Sequence, residues 1–213
     1  MKARLMIPRD EADGRYAESV AIFSARRCRT VKDYNDLWTE VQGYTIEKRE
    51  QFLSNVIFQD WAADVLEMIY LVYDLEDIPV WLVIELLRHR LLAREFSLEQ
   101  LSQRAISGLR LRVEAPTSEL QELTDKFLLD VHNIQTIQKL APEVIREVFP
   151  QGILVNLCIA GNLRAFHHFF FMRASVANGG KGGAHPKFIE LADQMLSQAR
   201  QVLPITLNTI MKA

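Results

Sequence analysis

The residues best suited to chemistry lie at the end of one strongly apolar segment. Residues 80–94 read Val-Trp-Leu-Val-Ile-Glu-Leu-Leu-Arg-His-Arg-Leu-Leu-Ala-Arg, and apolar side chains would occupy nearly every face of a helix, which predicts a buried helix. Its second half carries four basic side chains: Arg88, His89, Arg90 and Arg94. Buried cations require partners, and Glu85 can reach Arg88 or His89 at helical spacing. The other guanidinium groups predict an anion, and a phosphate-bearing ligand suits their planar donor geometry.

Two other interpretations of this basic cluster stay open. In the first, the helix leaves the core at Arg88, and its cations are solvated and interact with the C-terminal helix dipole. In the second, the cluster binds nucleic acid. The basic run is short, however, and lacks the interleaved aromatic residues on which single-stranded bases stack.

The elements that must position this cluster follow from the spacing of apolar residues. Helical spacing is found in segments 17–29, 31–41, 46–57, 117–140, 162–173 and from Pro186 onward. Strand-like runs are found at 65–74, 109–113 and 153–160. The sequence therefore predicts an α+β protein with many helices and a small central, mainly antiparallel sheet.

Composition limits the class of protein. The chain has 213 residues, of which 49% are apolar, so we predict one domain over residues 1–213. Its formal net charge is -2, which argues against binding to nucleic acids or membranes through overall charge. Cys28 and Cys158 are far apart and not in a CxxC motif, so neither a disulfide framework nor a metal site is expected. No long apolar run follows the first residues, and a cytoplasmic protein is expected.

Several motifs in this order resemble a known family. Arg88-His89-Arg90 is followed by the segment 97–104, Ser-Leu-Glu-Gln-Leu-Ser-Gln-Arg, and then by Arg146-Glu147-Val148-Phe149-Pro150. After the predicted strand come Gly161-Asn162-Leu163-Arg164 and Arg173, and segment 19–28 is similar to the first helix of the family. Over most of its length the chain resembles the flavin-dependent thymidylate synthases.

The resemblance implies a reaction and an assembly. Family members are homotetramers that bind FAD at subunit interfaces, where the active sites lie, and convert dUMP to dTMP. NADPH reduces the flavin, methylenetetrahydrofolate supplies the carbon, and reduced flavin supplies the hydride. The protein contributes orientation and electrostatics to this cofactor chemistry.

The resemblance also implies roles for individual residues. The flavin would be held by Arg88, His89, Arg90, Arg94, Asn162, Arg164 and His168. The pyrimidine nucleotide would be bound by Glu85, Gln100, Ser102, Gln103, Arg104, Arg146 and Arg173. Ser102 and Arg173 would act in catalysis, with Arg173 polarising the uracil ring.

The chain departs from the family pattern at four places. Eleven residues separate Arg90 from Ser102, whereas the family has seven between its Arg-His-Arg motif and the serine. Counting seven residues back from Ser102 places Arg94 at the position of the last arginine of that motif. Segment 60–68 lacks the histidine that the family has there, a glycine-rich segment at 179–183 follows Arg173, and His168 replaces an asparagine. These differences leave two alternatives open: a methylase acting on UMP or another pyrimidine nucleotide, and a non-catalytic nucleotide-binding member.

Overall fold

The structure is a computed structural model that describes residues 1–90, 92, 95–98, 111–175 and 184–211. Its strands are β1 (Lys2–Ile7), β2 (Tyr70–Pro79), β3 (Glu95–Leu98) and β4 (Leu154–Asn162). Its α-helices are α1 (Glu11–Arg27), α2 (Tyr34–Gln42), α3 (Ile46–Ser54), α4 (Val80–Leu87), α5 (Ser118–Gln138), α6 (Pro142–Arg146), α7 (Leu163–Arg173), α8 (Pro186–Val202) and α9 (Pro204–Ile210). A π-helical turn (Asn55–Gln59) and a 3-10 helix (Ala63–Met68) precede β2. The predicted α+β class, rich in helices, is confirmed.

The sheet is antiparallel with the strand order β1-β2-β4-β3. Alternate side chains of β2 and β4 are buried, which is the period of two expected of a strand with one covered face. The hydroxyl of Tyr73 on β2 donates to the carbonyl oxygen of Met195, and this hydrogen bond joins the buried face to α8. Within the described residues, no helix is long and apolar enough to cross a membrane.

A close contact between α1 and the end of α8 brings the terminal helices together. A Cβ atom added at Gly14 would overlap the backbone carbonyl group of Val202, so only glycine permits this approach. One turn further along α1, the buried carboxylate of Glu18 accepts hydrogen bonds of 2.8 Å from the backbone N–H and the hydroxyl of Thr206, in the first turn of α9. Burial raises the pKa of Glu18, although these bonds oppose the shift.

The predicted helix over residues 80–94 is wrong from Arg88 onward, as far as those residues are described. Helix α4 ends at Leu87, and Arg88 is its C-cap residue with 71% of its side chain exposed. Tight turns follow, in which His89 donates its backbone N–H to the carbonyl oxygen of Leu86, and Leu92 donates to that of His89. The end of the helix at this point leaves the guanidinium group of Arg88 in water and avoids the cost of burying it.

Two predicted strands also need correction. The run 65–74 is split, because residues up to Met68 form the 3-10 helix and the strand extends from Tyr70 to Pro79. Val65, Leu66 and Ile69 are buried at helical rather than alternating spacing. The part of the 109–113 strand that is described reduces to one antiparallel bridge between Val113 and Ile153.

Candidate functional site

The C-terminal end of α7 presents Arg173, which is the last residue of that helix. The helix begins at Asn162, whose side-chain oxygen accepts a hydrogen bond of 2.9 Å from the N–H of Ala165 and caps the N-terminus. Asn162 therefore has a structural role. Its side-chain amide nitrogen is the atom that could make the flavin contact predicted from the sequence. Eleven helical residues then carry the chain from the end of β4 to Arg173.

Arg173 and His89 are in direct contact, although 84 residues separate them in the chain. The Nε–H of Arg173 donates to Nε2 of His89 at 3.1 Å. This hydrogen bond requires an unprotonated Nε2, so the proton of neutral His89 is on Nδ1. The two members of the predicted site thus meet from α7 and from the turn after α4.

Aromatic rings enclose this pair on the core side. The guanidinium carbon of Arg173 lies 4.9 Å from the ring centroid of Phe188, on α8. The ring of His89 packs edge-on against Phe169 and Phe188, with centroid distances of 5.2 and 5.8 Å. One side of the pair is therefore dry and rigid, and the other side opens to a cleft.

We name this opening the arginine cleft. It has a volume of about 370 Å³ and is lined by Arg88, His89, Arg90, Leu92, Ala165, His168, Met172 and Arg173. Three of the lining side chains are guanidinium groups, and one of them, Arg88, is paired with Glu85 at 2.9 Å. The sequence-based pairing of Glu85 with Arg88 is present in the structure. The net positive lining favours an anionic ligand.

A second opening, the sheet-end cleft, lies next to the first and shares Ala165 with it. It has a volume of about 410 Å³ and is lined by Glu67, Tyr70, Glu95, Ala160, Gly161, Asn162, Arg164 and Ala165. It lies where β2 begins and β4 ends, since Tyr70 pairs with Asn162 and Glu95 pairs with Ala160. Arg164 forms an ion pair of 2.7 Å with Glu67, so its charge is largely neutralised within the chain.

One other predicted site residue lies away from these clefts, and five are outside the described part of the chain. Arg146 ends α6, is exposed and lines neither cleft. Four predicted nucleotide residues and one flavin residue lie outside the described part of the chain: Gln100, Ser102, Gln103, Arg104 and Arg94. Their roles, like the ligand contacts of the residues that do meet, remain predictions.

Some residues that line the clefts or pack behind the Arg173–His89 pair were missed from the sequence. Phe188 and Phe169 were counted only as apolar positions of helices, because periodicity does not distinguish a core ring from one that also contacts a cation. Glu67 stood within a predicted strand, and Glu95 was not assigned to any predicted element. A charged residue interrupting an apolar run was the available signal for Glu67.

His89 is the group in the site whose titration changes most. Burial lowers its pKa to about 4, and the positive charge of Arg173 contributes. Because an unfolded histidine titrates near 6.5, the unfolded chain binds a proton between about pH 6.5 and 4 that the folded chain does not bind. This group therefore makes the folded state less stable as the pH decreases through that window.

We expect the His89 imidazole to titrate well below the range of an ordinary histidine. A proton NMR titration should place its pKa near 4, with the resonance assigned from its loss in His89→Asn. Urea unfolding of the wild-type protein and His89→Asn should be measured at about pH 7.5 and about pH 5. From the higher to the lower pH, the free energy of unfolding should decrease more for the wild-type protein than for the variant. A His89 resonance that titrates near 6.5 would contradict the arrangement with Arg173.

Comparison with known proteins gives concordant matches. A family model described as thymidylate synthase complementing protein matches residues 13–205. A flavin-dependent thymidylate synthase from Mycobacteroides abscessus is 32% identical in an alignment 114 residues long, which covers 43% of this chain and 44% of that relative. The match therefore spans less than half of that relative's length.

Two solved structures are similar over nearly the whole chain. Thymidylate synthase X from Helicobacter pylori, with FAD and dUMP, gives a TM-score of 0.71 at 14% identity and covers 100% of both chains. The UMP/dUMP methylase PolB from Streptomyces cacaoi, bound with 5-Br dUMP, gives a TM-score of 0.69 at 17% identity, covering 99% of this chain and 94% of that one. At these identities the likeness demonstrates a shared fold.

Proposed function

The chain belongs to the family of thymidylate synthase complementing proteins, the flavin-dependent thymidylate synthases, and from this premise we propose that it methylates C5 of a uracil nucleotide and converts dUMP to dTMP. The observation that carries the proposal is the contact of Arg173 with His89 at the wall of the arginine cleft. The contact joins two motifs that are far apart in the sequence. It also orients a guanidinium group toward a space suited to an anion.

The residues of the two clefts fit a flavin nucleotide. Guanidinium and imidazole donors from Arg88, Arg90 and His168 suit a diphosphate, and they line the same cleft as the apolar side chains of Leu92 and Ala165. The adjoining sheet-end cleft adds Asn162 and Arg164. We therefore assign FAD to these clefts, with His89 and the basic side chains around it as the groups that hold it.

Bound flavin, reduced by NADPH, supplies the hydride, and methylenetetrahydrofolate supplies the carbon. The chain contributes the placement of the nucleotide and the stabilisation of charge. Arg173 has its Nε–H committed to His89, so its terminal nitrogens are the donors for the uracil ring. Hydrogen bonds from a fixed guanidinium to a ring carbonyl oxygen would stabilise the enolate character of the uracil ring, which makes C5 nucleophilic toward the one-carbon unit. Ser102, Gln103 and Arg104 complete the proposal as phosphate-binding residues, and Arg146, which lines neither cleft of its own chain, would join them only from a neighbouring subunit.

UMP is the second candidate acceptor. The solved methylase that is similar over 99% of this chain is described as acting on both UMP and dUMP. Discrimination between the two nucleotides depends on whether the site hydrogen-bonds or excludes a 2′-hydroxyl group.

The reaction is tested by single-turnover assays with dUMP and UMP in parallel, each with FAD, NADPH and methylenetetrahydrofolate. We expect a methylated pyrimidine nucleotide from dUMP, identified by chromatography and mass spectrometry. Product from UMP alone would move the assignment to the second acceptor. Failure with both nucleotides in a protein that binds FAD would favour the non-catalytic alternative.

We propose self-association of the chain, with the homotetramer of the family as the expected state. The support is an apolar seam on α5, in which large side chains recur at alternating spacings of three and four residues. The apolar members of this seam are Leu120, Leu123, Phe127, Ile134 and Ile137, and all are exposed in the single chain. Asp130 occupies the remaining position of the repeat. Such a seam is typical of helices that pack against another helix.

Charge favours a second copy in antiparallel orientation as the partner of this seam. An antiparallel pair centred between Phe127 and Asp130 places Lys126 of one chain beside Asp130 of the other. It also separates the two acidic N-terminal halves of the helix, which contain Glu119, Glu122 and Asp125. The helix would thus be complementary to itself.

The variant Leu123→Asp/Ile134→Asp is expected to lower the molar mass measured by light scattering while the circular dichroism spectrum is retained. Two carboxylates in the seam would have to be buried without partners. Leu129→Asp is the matched control, because Leu129 is equally exposed but lies roughly 200° around the helix from Phe127. An unchanged mass in the double variant, or a smaller mass in both proteins, would contradict the seam.

A further inference from the structure

We propose that Phe188 is a positioning residue that holds Arg173 and His89 in the orientation required for binding and polarising the nucleotide. The inference deepens the proposed function, since Arg173 is the substrate-binding group in it. Phe188 lies outside the motifs that resemble the family, beyond the glycine-rich segment. It enters the site only through the fold.

The ring of Phe188 touches both members of the pair. Its centroid lies 4.9 Å from the guanidinium carbon of Arg173 and 5.8 Å from the ring centroid of His89, and the ring is 2% exposed. Phe169 packs against it at 5.7 Å and also contacts His89. A cation placed over an aromatic face is attracted to it, and the attraction is stronger when water is excluded.

This contact acts together with the hydrogen bond to His89. A guanidinium group on a flexible side chain has many rotamers, and fixing it in one of them has an entropic cost. The aromatic face restricts the plane of the group, and the Nε–H bond fixes its rotation within that plane. Among the described residues, the bond to His89 is the hydrogen bond that Arg173 makes, and none of these residues accepts a hydrogen bond from its two terminal nitrogens.

The fold anchors Phe188 firmly relative to α4. Pro186 occupies the first turn of α8, and His185 caps it by accepting a hydrogen bond from the N–H of Lys187. The ring of His185 packs edge-on against Trp81 in the first turn of α4, with a centroid distance of 4.6 Å. Helix α8 and the helix that leads to His89 are thereby joined at one end, and Phe188 lies in the first turn of α8.

The experiment compares Phe188→Leu with Phe170→Leu. Both replace a buried phenylalanine of the same aromatic cluster, but Phe170 contacts Phe166 and Phe169 and makes no ring contact with Arg173 or His89 among the described residues. We expect similar losses of melting temperature in the two variants. Only Phe188→Leu should lower kcat, by about 10-fold, with a smaller change in KM. A misdirected guanidinium group loses more of its interaction with the transition state than of its interaction with the bound substrate.

A readout independent of turnover is the 15N Nε–H signal of Arg173, assigned from its loss in Arg173→Lys. We expect slow hydrogen exchange of this proton in the wild-type protein and in Phe170→Leu, and faster exchange in Phe188→Leu. Equal exchange in the two leucine variants would overturn the positioning role, whether or not the protein is a methylase. Absence of turnover in the wild-type protein, with a protected Nε–H, would instead count against the proposed function alone.

Discussion

Replacing Arg173 with alanine is expected to lower kcat/KM for dUMP by about 10³-fold, which is the largest functional effect that we predict. The variant would lose both a group that binds the substrate and the group that stabilises charge on the uracil ring. Arg173→Lys keeps the positive charge but loses the Nε–H donor to His89 and the planar fork. A loss of about 10²-fold is therefore expected for it, since lysine does not replace arginine where paired donors are used. Steady-state assays over a range of dUMP concentrations measure both effects.

A control for charge alone is Arg9→Ala. Arg9 is exposed, forms an ion pair with Asp13 and lies outside both clefts. Its removal should leave turnover unchanged, because exposed ion pairs contribute little. If Arg173→Ala kept activity close to that of Arg9→Ala, the assignment of Arg173 to the substrate would be wrong.

The largest effect on stability is expected for Gly14→Ala. Alanine in a helix is ordinarily favoured over glycine, by about 1 kcal/mol. At this position the new methyl group would overlap the carbonyl group of Val202, which is backbone and cannot rotate away. We expect a net destabilisation of about 2–4 kcal/mol, because α1 and α8 must separate to admit the group. Helix α9 should loosen as well, since Glu18 binds its first turn from the same face of α1.

Gly43→Ala is the matched control for this substitution. Gly43 caps α2 with φ of -77°, and its added Cβ would lie 3.5 Å from the nearest atoms, which is ordinary contact. Urea unfolding followed by circular dichroism should show a large loss of stability for Gly14→Ala and almost none for Gly43→Ala. Equal effects of the two substitutions would mean that the close approach of α1 to α8 is not as described.

Local patterns in the sequence predicted most of the elements correctly. Helices α1, α2, α3, α5, α7 and α8 and strand β4 were found because their apolar periods are long and uninterrupted. Capping residues improved the boundaries: Thr117 caps α5 and Asn162 caps α7, close to the predicted starts. The meeting of Arg88, His89, Arg173 and His168 in one cleft was anticipated from the family motifs and not from periodicity.

The errors came from elements whose structure depends on distant contacts. Helix α4 stops at Leu87, where tight turns bring His89 to Arg173, and the four-residue strand β3 exists because it pairs with β4. Strand β1 was missed entirely, although Lys2, Arg4 and Met6 alternate with more buried residues in it. It is an edge strand that depends on pairing with β2.

Site residues without a motif could not be found from the sequence for a related reason. Phe188 reaches Arg173 only because α7 and α8 pack together, and Glu67 meets Arg164 across 97 residues of chain. Charge and aromatic character were visible in the sequence. Their partners were not, since tertiary packing determines them.

The central claim is that the arginine cleft and the sheet-end cleft hold a flavin beside a uracil nucleotide. It is tested most directly by titrating the purified protein with FAD and recording the visible absorption spectrum, and then adding dUMP. We predict saturable binding that shifts the flavin bands, a further spectral change with dUMP, and loss of flavin binding in Arg88→Ala/Arg90→Ala. A protein that has no flavin absorbance after purification and binds no added FAD would contradict the account.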